Sequence, residues 1–563
     1  MKVWIKGGGA VTLTQADFVA SGGEGSIYAK GDTAYKIYTD PKRMVPVDKI
    51  RELSTISAAN VIKPEQVIVD KLGTQLGYTM RFVRDTLPLC RLFPRTFRDK
   101  HGITPAMTLD LVQQLQKGVA EAHQSNVLVV DLNEMNFLVS KTFDEVFFID
   151  VDSYQTPHYP ATALMASVRD WSIRNNDWTE MSDWFSFAVV AFNLFTGIHP
   201  YKGKHPSLKG FEDRMKANVS VFHPDVKVPK AAYPVDVIPD AYRSWFRAVL
   251  EDGQRLPPPG GSVGTVLMVP QVRVLKGTHN IDINDVFDYT AQLLGYVEHD
   301  GRSVAWTVDG VWVDNRRVHD PVGGVGGVGF SPRAGDPVLA GRSVSESRLR
   351  LFDVLRRQTI PTDLRADDLM SYNGTIYVRS RGHIYRVVLS EVGSRVIAST
   401  QVASTCLEHA TQMFDGVALQ SLLGRTYVTV FPKAGFTHQV PIPELDAYKI
   451  IEAKFDAGVL MVVGVEQGRY DRLVIRFDEG FGSYDLRVVP DINPVGLNFV
   501  TLPTGICVCI DEEERLEVFS NRKGSSGQKQ VVDPMLGADL RLMKRGGQVV
   551  FPRGTKLKSI SMR

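Results

Sequence analysis

The sequence predicts a multidomain chain: a mixed α+β half over residues 1–265, followed by an all-β half over 270–563 that reads as a β-propeller of about six blades. Three observations carry this prediction. In the first half, Leu109, Leu111, Val112, Leu115, Val119 and Ala122 recur at helical spacing, and a second helical run spans Tyr242–Leu250. The cluster Pro257-Pro258-Pro259-Gly260-Gly261 then closes that half as a boundary. Beyond it, a turn glycine followed by an alternating apolar strand returns at Gly310, Gly374, Gly416, Gly458, Gly505 and Gly547, in steps of 64, 42, 42, 47 and 42 residues. A period near 42 with several short strands per unit corresponds to one four-stranded blade. The run Val322-Gly323-Gly324-Val325-Gly326-Gly327-Val328-Gly329 falls in the long step and reads as a flexible loop; no Lys-Ser or Lys-Thr follows to make it a phosphate cradle.

Composition narrows the function classes. Lys+Arg total 65 and Asp+Glu 63, a net charge of +2, which excludes the one-signed field of a nucleic-acid coat or a polybasic membrane binder. Four cysteines in 563 residues exclude a disulfide scaffold, and Cys507 and Cys509, two apart in an apolar strand, read as buried thiols. A reducing cytoplasm is the expected setting. Met1–Lys6 reads as a strand and lacks the apolar stretch of a signal peptide. Trp184–Ile198 is the most membrane-like segment, but Asn193 interrupts it and it falls short of the ~20 residues a spanning helix needs, so it reads as a buried core helix.

Four pieces in the first half carry candidate chemistry. Ser21-Gly22-Gly23-Glu24-Gly25-Ser26-Ile27-Tyr28 lies between two strands, where glycines let backbone N–H groups approach phosphate oxygens. The strand Thr33–Tyr38 holds one lysine, Lys36, among apolar neighbours. Val47–Ile56 reads as a helix carrying Glu52, a carboxylate suited to pair with Lys36. Asp131-Leu132-Asn133-Glu134-Met135-Asn136 sets an aspartate five residues before an asparagine between apolar strands, and Val146–Ile149 then delivers Asp150 and Asp152. Carboxylate and amide oxygens at strand ends are what Mg²⁺ prefers.

In this order the pieces resemble a eukaryotic-type protein kinase domain, from the glycine loop to about Arg255. Tyr35-Lys36-Ile37 is similar to the kinase strand lysine, Asp131–Asn136 to the catalytic loop, and Phe148-Ile149-Asp150-Val151-Asp152 falls where Asp-Phe-Gly belongs. Ser182-Asp183-Trp184-Phe185, continuing to Thr196-Gly197-Ile198-His199-Pro200-Tyr201, resembles the helix whose N-terminal aspartate anchors the catalytic loop. The resemblance implies a small lobe over about 1–83 and a large lobe over 84–265, with ATP and Mg²⁺ as cofactors. By it, Gly22, Gly23, Gly25 and Ile27 cover the nucleotide, Lys36 pairs with its phosphates and with Glu52, and Met80 and Phe82 flank the adenine. Asp131 is the base toward a substrate hydroxyl, and Asn136 with Asp150 or Asp152 binds the metal, Asp150 being preferred because it directly follows the strand.

The sequence also departs from that pattern. Ala20 stands at the first glycine, Val129-Val130 replace the His-Arg before the catalytic aspartate, Asp152 occupies the glycine of the metal motif, and no Ala-Pro-Glu lies between Tyr154 and Glu180. The loss of the arginine argues against activation by a phosphorylated loop. The resemblance therefore implies a Ser/Thr kinase whose propeller recruits protein substrates or partners, with neither nucleic acid nor membrane among them. The alternative is a pseudokinase scaffold or structural assembly protein that binds nucleotide without transferring phosphate. The Gly-Gly-Glu-Gly loop and Asp-x-Asp-Ser resemble bacterial and phage members. His101, His123, His199 and His205 show no ligand spacing and read as structural or surface residues.

Overall fold

The computed structural model describes residues 1–22, 24–260, 281–343, 347–493, 496–525, 528–533, 536–537 and 540–562. The expected boundary at 265–270 lies outside the described residues, and no sheet shares a strand between 1–260 and 281–562.

The first half begins with strands β1 (Lys2–Ile5), β2 (Ala10–Thr12), β3 (Phe18–Ser21), β4 (Gly25–Lys30) and β5 (Thr33–Tyr38), then helix α1 (Val47–Leu53), β6 (Gln66–Val69) and β7 (Gln75–Arg81). These seven strands form one sheet in the order β2-β1-β6-β7-β5-β4-β3. A second, three-stranded sheet joins β8 (Thr86–Pro88), β9 (Phe137–Ser140) and β10 (Val146–Phe148) among helices α2 (Arg95–His101), α3 (Pro105–Gln124), α4 (Glu180–Thr196), α5 (Phe211–Ala217) and α6 (Asp240–Leu250). Helix α3 starts where Thr104 accepts the Met107 N–H at 3.3 Å ahead of Pro105, a side-chain cap followed by a residue with its backbone angle already set for a helix. Helix α4 is buried along its whole length from Ser182 to Thr196 and ends at Gly197, whose φ of 74° is left-handed. No helix among the described residues is long and apolar enough to cross a membrane.

Among its described residues, the second half contains seven four-stranded antiparallel sheets. Six are consecutive meanders, and the seventh joins the half's two ends, with Ile281–Asp288 paired to Lys556–Met562. Several end strands pack on one another in series: Val325–Phe330 on Asp368–Tyr372, that strand on Thr411–Phe414, and that in turn on Lys449–Asp456. Met543–Arg545 touches both Leu293–His299 and Phe499–Thr501. The count exceeds the six units expected because Gly310 sits at the second hairpin of its sheet, whereas Gly374, Gly416, Gly458 and Gly505 sit at the first. The 64-residue step therefore conceals a whole sheet, with strands Val325–Phe330, Pro337–Arg342, Leu349–Asp353 and Gln358–Ile360.

The glycine run in that step is largely strand rather than flexible loop. A Cβ at Gly327 would lie 3.0 Å from the Ser371 side chain, and one at Gly329 would lie 2.8 Å from Ile376, so the missing side chains admit the neighbouring sheet. Cys507 and Cys509 are buried and free, and burial pushes the Cys509 thiol up to about 12.

The two halves share a core. Ile451, Val463, Val465, Tyr470 and Ile492 are buried in the same cluster as Leu115, Phe137, Phe148 and Phe187 of the first half. At about 1.5–3 kcal/mol for fully burying each large aliphatic side chain, this junction opposes free hinging between the halves. Ion pairs rim it: Lys202 to Asp491 at 2.9 Å, Lys204 to Glu513 at 3.0 Å, Lys100 to Asp415 at 3.2 Å and Arg342 to Asp85 at 2.9 Å.

Candidate active site

Strand register gathers the first group of residues. Lys36 of β5 lies opposite Ile27 of β4 and Tyr78 of β7, and Ala34 lies opposite Met80. Side chains alternate at period two along a strand, so Ile27, Lys36, Tyr38, Tyr78 and Met80 share one face. The glycine hairpin closes by the Gly22 N–H donating to the Gly25 carbonyl at 2.9 Å. Gly25 lies so close to β5 that a Cβ would fall 2.3 Å from the Ile37 carbonyl oxygen. Gly23 lies outside the described residues.

Lys36 is buried at 5% exposure, and its Nζ lies 2.6 Å from Asp152, 3.1 Å from Glu24 and 3.5 Å from Asp150. Burial alone would lower its pKa, but the Asp152 and Asp150 carboxylates outweigh burial and hold the ammonium above its ordinary value. Tyr38 donates to the same Asp152 oxygen at 2.6 Å. Asp152 would be raised by burial, but Lys36 and the tyrosine hydrogen bond keep it ionised and low.

The expected Lys36–Glu52 pair is absent. Helix α1 has only seven residues, and its buried side chains are Lys49, Ile50 and Leu53. Glu52 faces the segment after Asp150 and pairs with His158 at 2.6 Å. Lys49 takes the inward position, where burial pushes its pKa down to about 8 against the pull of Asp152 and Glu24.

The second group is positioned by the β9–β10 hairpin. Pairing of Phe137 with Phe148 and of Val139 with Val146 brings Asn136, just before β9, beside Ile149 and Asp150, just after β10; the Ile149 N–H donates to the Asn136 carbonyl at 2.9 Å. Gly118 of α3 permits this, since a Cβ there would meet the Phe148 ring at 2.4 Å. Asn136 donates through Nδ2 to the Asp131 carbonyl at 2.9 Å and to its Oδ2 at 3.3 Å. The Met165 N–H donates to Asp131 Oδ1 at 2.7 Å. Asp183 is fully buried and accepts the N–H groups of Val129 at 2.7 Å and Val130 at 2.8 Å, with His123 Nε2 on the same carboxylate at 2.9 Å. Val130 has φ +62°, a costly conformation for a β-branched residue that those hydrogen bonds sustain.

The site can accept a hard cation. Asp152 Oδ1 is buried with no hydrogen-bond partner, and the Asp150 carboxylate beside it is 56% exposed. The carboxylates of Asp150 and Asp152, with the amide of Asn136 just before the adjoining strand of the hairpin, are hard oxygen donors of the kind Mg²⁺ takes. Met80 packs against the cluster of Tyr38, Ile50 and Tyr78. Phe82, expected to flank the adenine, donates its N–H to the Asp32 carbonyl at 2.8 Å, and its ring stands edge-on to His409 of the second half at 5.3 Å. Phe82 thus contacts the second half.

Several residues of the site escaped the sequence reading. Glu24 supplies Lys36 with a carboxylate from within the glycine loop itself. Glu134 is buried and accepts from the Tyr470 hydroxyl at 2.6 Å, and Lys449 donates to the Met135 carbonyl at 3.2 Å. Asp170 holds Arg255 through both oxygens, at 2.6 and 2.7 Å, and so anchors the far end of the segment where no Ala-Pro-Glu exists. His205, His223 and Asp225 bring ligand atoms within 4.8 Å of one another, contrary to the absence of ligand spacing expected for His205. Both imidazoles accept backbone N–H groups at Nδ1, which leaves the proton on Nε2 and opposes metal binding there.

His199 provides a pH test. Its Nε2 donates to the Ser167 carbonyl at 2.8 Å and its Nδ1 accepts the Tyr201 N–H at 3.2 Å, so it is neutral. Burial pushes its pKa from the ordinary 6.5 down to about 4, opposed by the Ser167 hydrogen bond and aided by Lys202 and Arg214. Between those values the unfolded chain takes up a proton that the folded chain refuses, so stability is full above pH 6.5 and falls as pH drops toward 4. His101, also near 4, acts in the same window. Chemical denaturation across this range should show a shallower pH dependence in His199→Gln than in the wild type; an unchanged slope contradicts the assignment.

No family model matches the chain. A probable serine/threonine-protein kinase of Dictyostelium discoideum is 24% identical over 152 residues, which is 25% of this chain and 11% of that protein. The chain thus spans about a tenth of the length of the curated relative it matches. That similarity supports a protein kinase-like domain. Among solved structures, the kinase PK-1 of Cydia pomonella granulovirus is similar over 42% of this chain and 88% of its own, at 14% identity and a TM-score of 0.31.

Proposed function

We propose that the first half is an ATP- and Mg²⁺-dependent protein kinase acting on Ser or Thr, and that the seven sheets of the second half form a propeller that engages protein partners or substrates. The observation that carries the reading is the convergence of Lys36, Asp131, Asn136, Asp150 and Asp152 from three separate segments. Lys36 and the Gly22–Gly25 hairpin would hold the phosphates, and Met80 would flank the base. Asn136, Asp150 and Asp152 would hold Mg²⁺, which when bound neutralises phosphate charge. Asp131 would accept the hydroxyl proton, and Asn136 and Asp183 keep it in place. Positioning and charge supply most of the catalysis in such a site.

A second reading, a pseudokinase scaffold, draws on two observations: Glu52 is turned away from Lys36, and both oxygens of Asp131 are already occupied. Mg-ATP should raise the thermal midpoint of the wild type but not of Lys36→Met, with ADP accumulating in the wild type. Stabilisation without ADP favours the scaffold, and no stabilisation by Mg-ATP rejects both readings.

A further inference from the structure

One hairpin of the second half, Val459–Glu466 with Arg469–Phe477, reaches the large lobe at the base itself. Its strands pair through Glu466 and Arg469, leaving Gln467 and Gly468 as a two-residue turn with φ of 50° and 78°. Just past the turn, Tyr470 donates to Glu134 at 2.6 Å, within the loop that carries Asp131. The turn bears on Met165 and Ser167: a Cβ on Gly468 would lie 2.8 Å from Met165 Cγ and Sδ and 3.4 Å from Ser167 Oγ. From the other side, His199 holds the Ser167 carbonyl at 2.8 Å and Ser186 holds that of Val168 at 2.7 Å.

Pressed between these supports, Met165 directs its N–H onto Asp131 Oδ1 at 2.7 Å, while Asn136 takes Oδ2 at 3.3 Å. Each oxygen of the base already accepts one hydrogen bond, so an acceptor hydroxyl must compete for the remaining lone pairs, and an N–H on a carboxylate is a charge-assisted bond, stronger than a neutral one. We propose that the Gln467–Gly468 turn is a latch that holds the Met165 amide on Asp131, restricting the approach of acceptors until the hairpin shifts. The inference rests on the kinase reading above.

Two variants of the full chain separate the latch from that reading. Met165→Pro removes the N–H at a φ of −85°, close to proline's own, but also replaces the side chain that meets Gly468, so Met165→Ala, which keeps the N–H, is its control. Gly468→Leu places a side chain where Met165 and Ser167 now sit. Freeing one charge-assisted hydrogen bond should raise ADP production from Mg-ATP, with a mixed Ser/Thr peptide library as acceptor, roughly tenfold in both variants. Hydrogen exchange over residues 161–169 should be slow in the wild type and faster in Gly468→Leu. Exchange already fast in the wild type, or ADP production unchanged or lower in Met165→Pro, overturns the latch. If exchange quickens as expected but no protein makes ADP, the kinase reading fails, the contact stands only as a structural clamp, and its inhibitory role falls with that reading.

Discussion

Asp131→Asn lowers phosphoryl transfer at saturating Mg-ATP by about two to four orders of magnitude, the contribution of a positioned general base, and leaves ATP affinity nearly unchanged. The geometry separates the two effects. Asp131 contacts Met165 and Asn136, whereas Lys36 is surrounded by Asp152, Glu24 and Asp150. An asparagine at 131 still accepts the Met165 N–H, so the loop keeps its shape while losing the oxygen that takes the proton. Initial rates and calorimetric ATP titrations on the same preparations check both halves of the prediction. A rate within threefold of wild type would remove Asp131 from its proposed role.

The second large effect is on stability. Asp183→Ala leaves the buried N–H groups of Val129 and Val130 without acceptors and His123 without its carboxylate. At about 1–3 kcal/mol for each of these three stranded buried groups, the loss is about 3–9 kcal/mol. Val130 at φ +62° then has nothing to sustain its conformation, so the loop carrying Asp131 relaxes and transfer falls as well. Urea denaturation measures the first effect, and a loss below 1 kcal/mol contradicts it. The more conservative Asp183→Asn retains one acceptor and should lose less.

Much of this molecule was legible where the evidence was local. The α4 helix announced itself through its apolar run and Gly197, and Asn136 and Asp150 were readable together because one hairpin joins them. The four-stranded units show in their turn glycines, but Gly301 and Gly335 mark the first hairpins of two sheets whereas Gly310 marks a second hairpin, so a spacing counted from Gly310 passes over one sheet. Glu52 failed for a different reason. In a seven-residue helix each step turns the side chain by 100°, so Lys49 rather than Glu52 faces inward, and no apolar stripe was long enough to set that phase. The Tyr470–Glu134 contact joins residues 336 apart, and a single sequence carries no signal for it.

On the proposed kinase reading, this chain moves the γ-phosphate of ATP to a protein hydroxyl. Incubating the wild-type chain with γ-labelled ATP, Mg²⁺ and a Ser/Thr peptide library, then mapping labelled residues by mass spectrometry, tests it directly. The expected result is label on Ser or Thr that disappears in Asp131→Asn and Lys36→Met. Label that persists in Asp131→Asn, or its absence from both the wild type and Met165→Pro while Mg-ATP is bound, would contradict it.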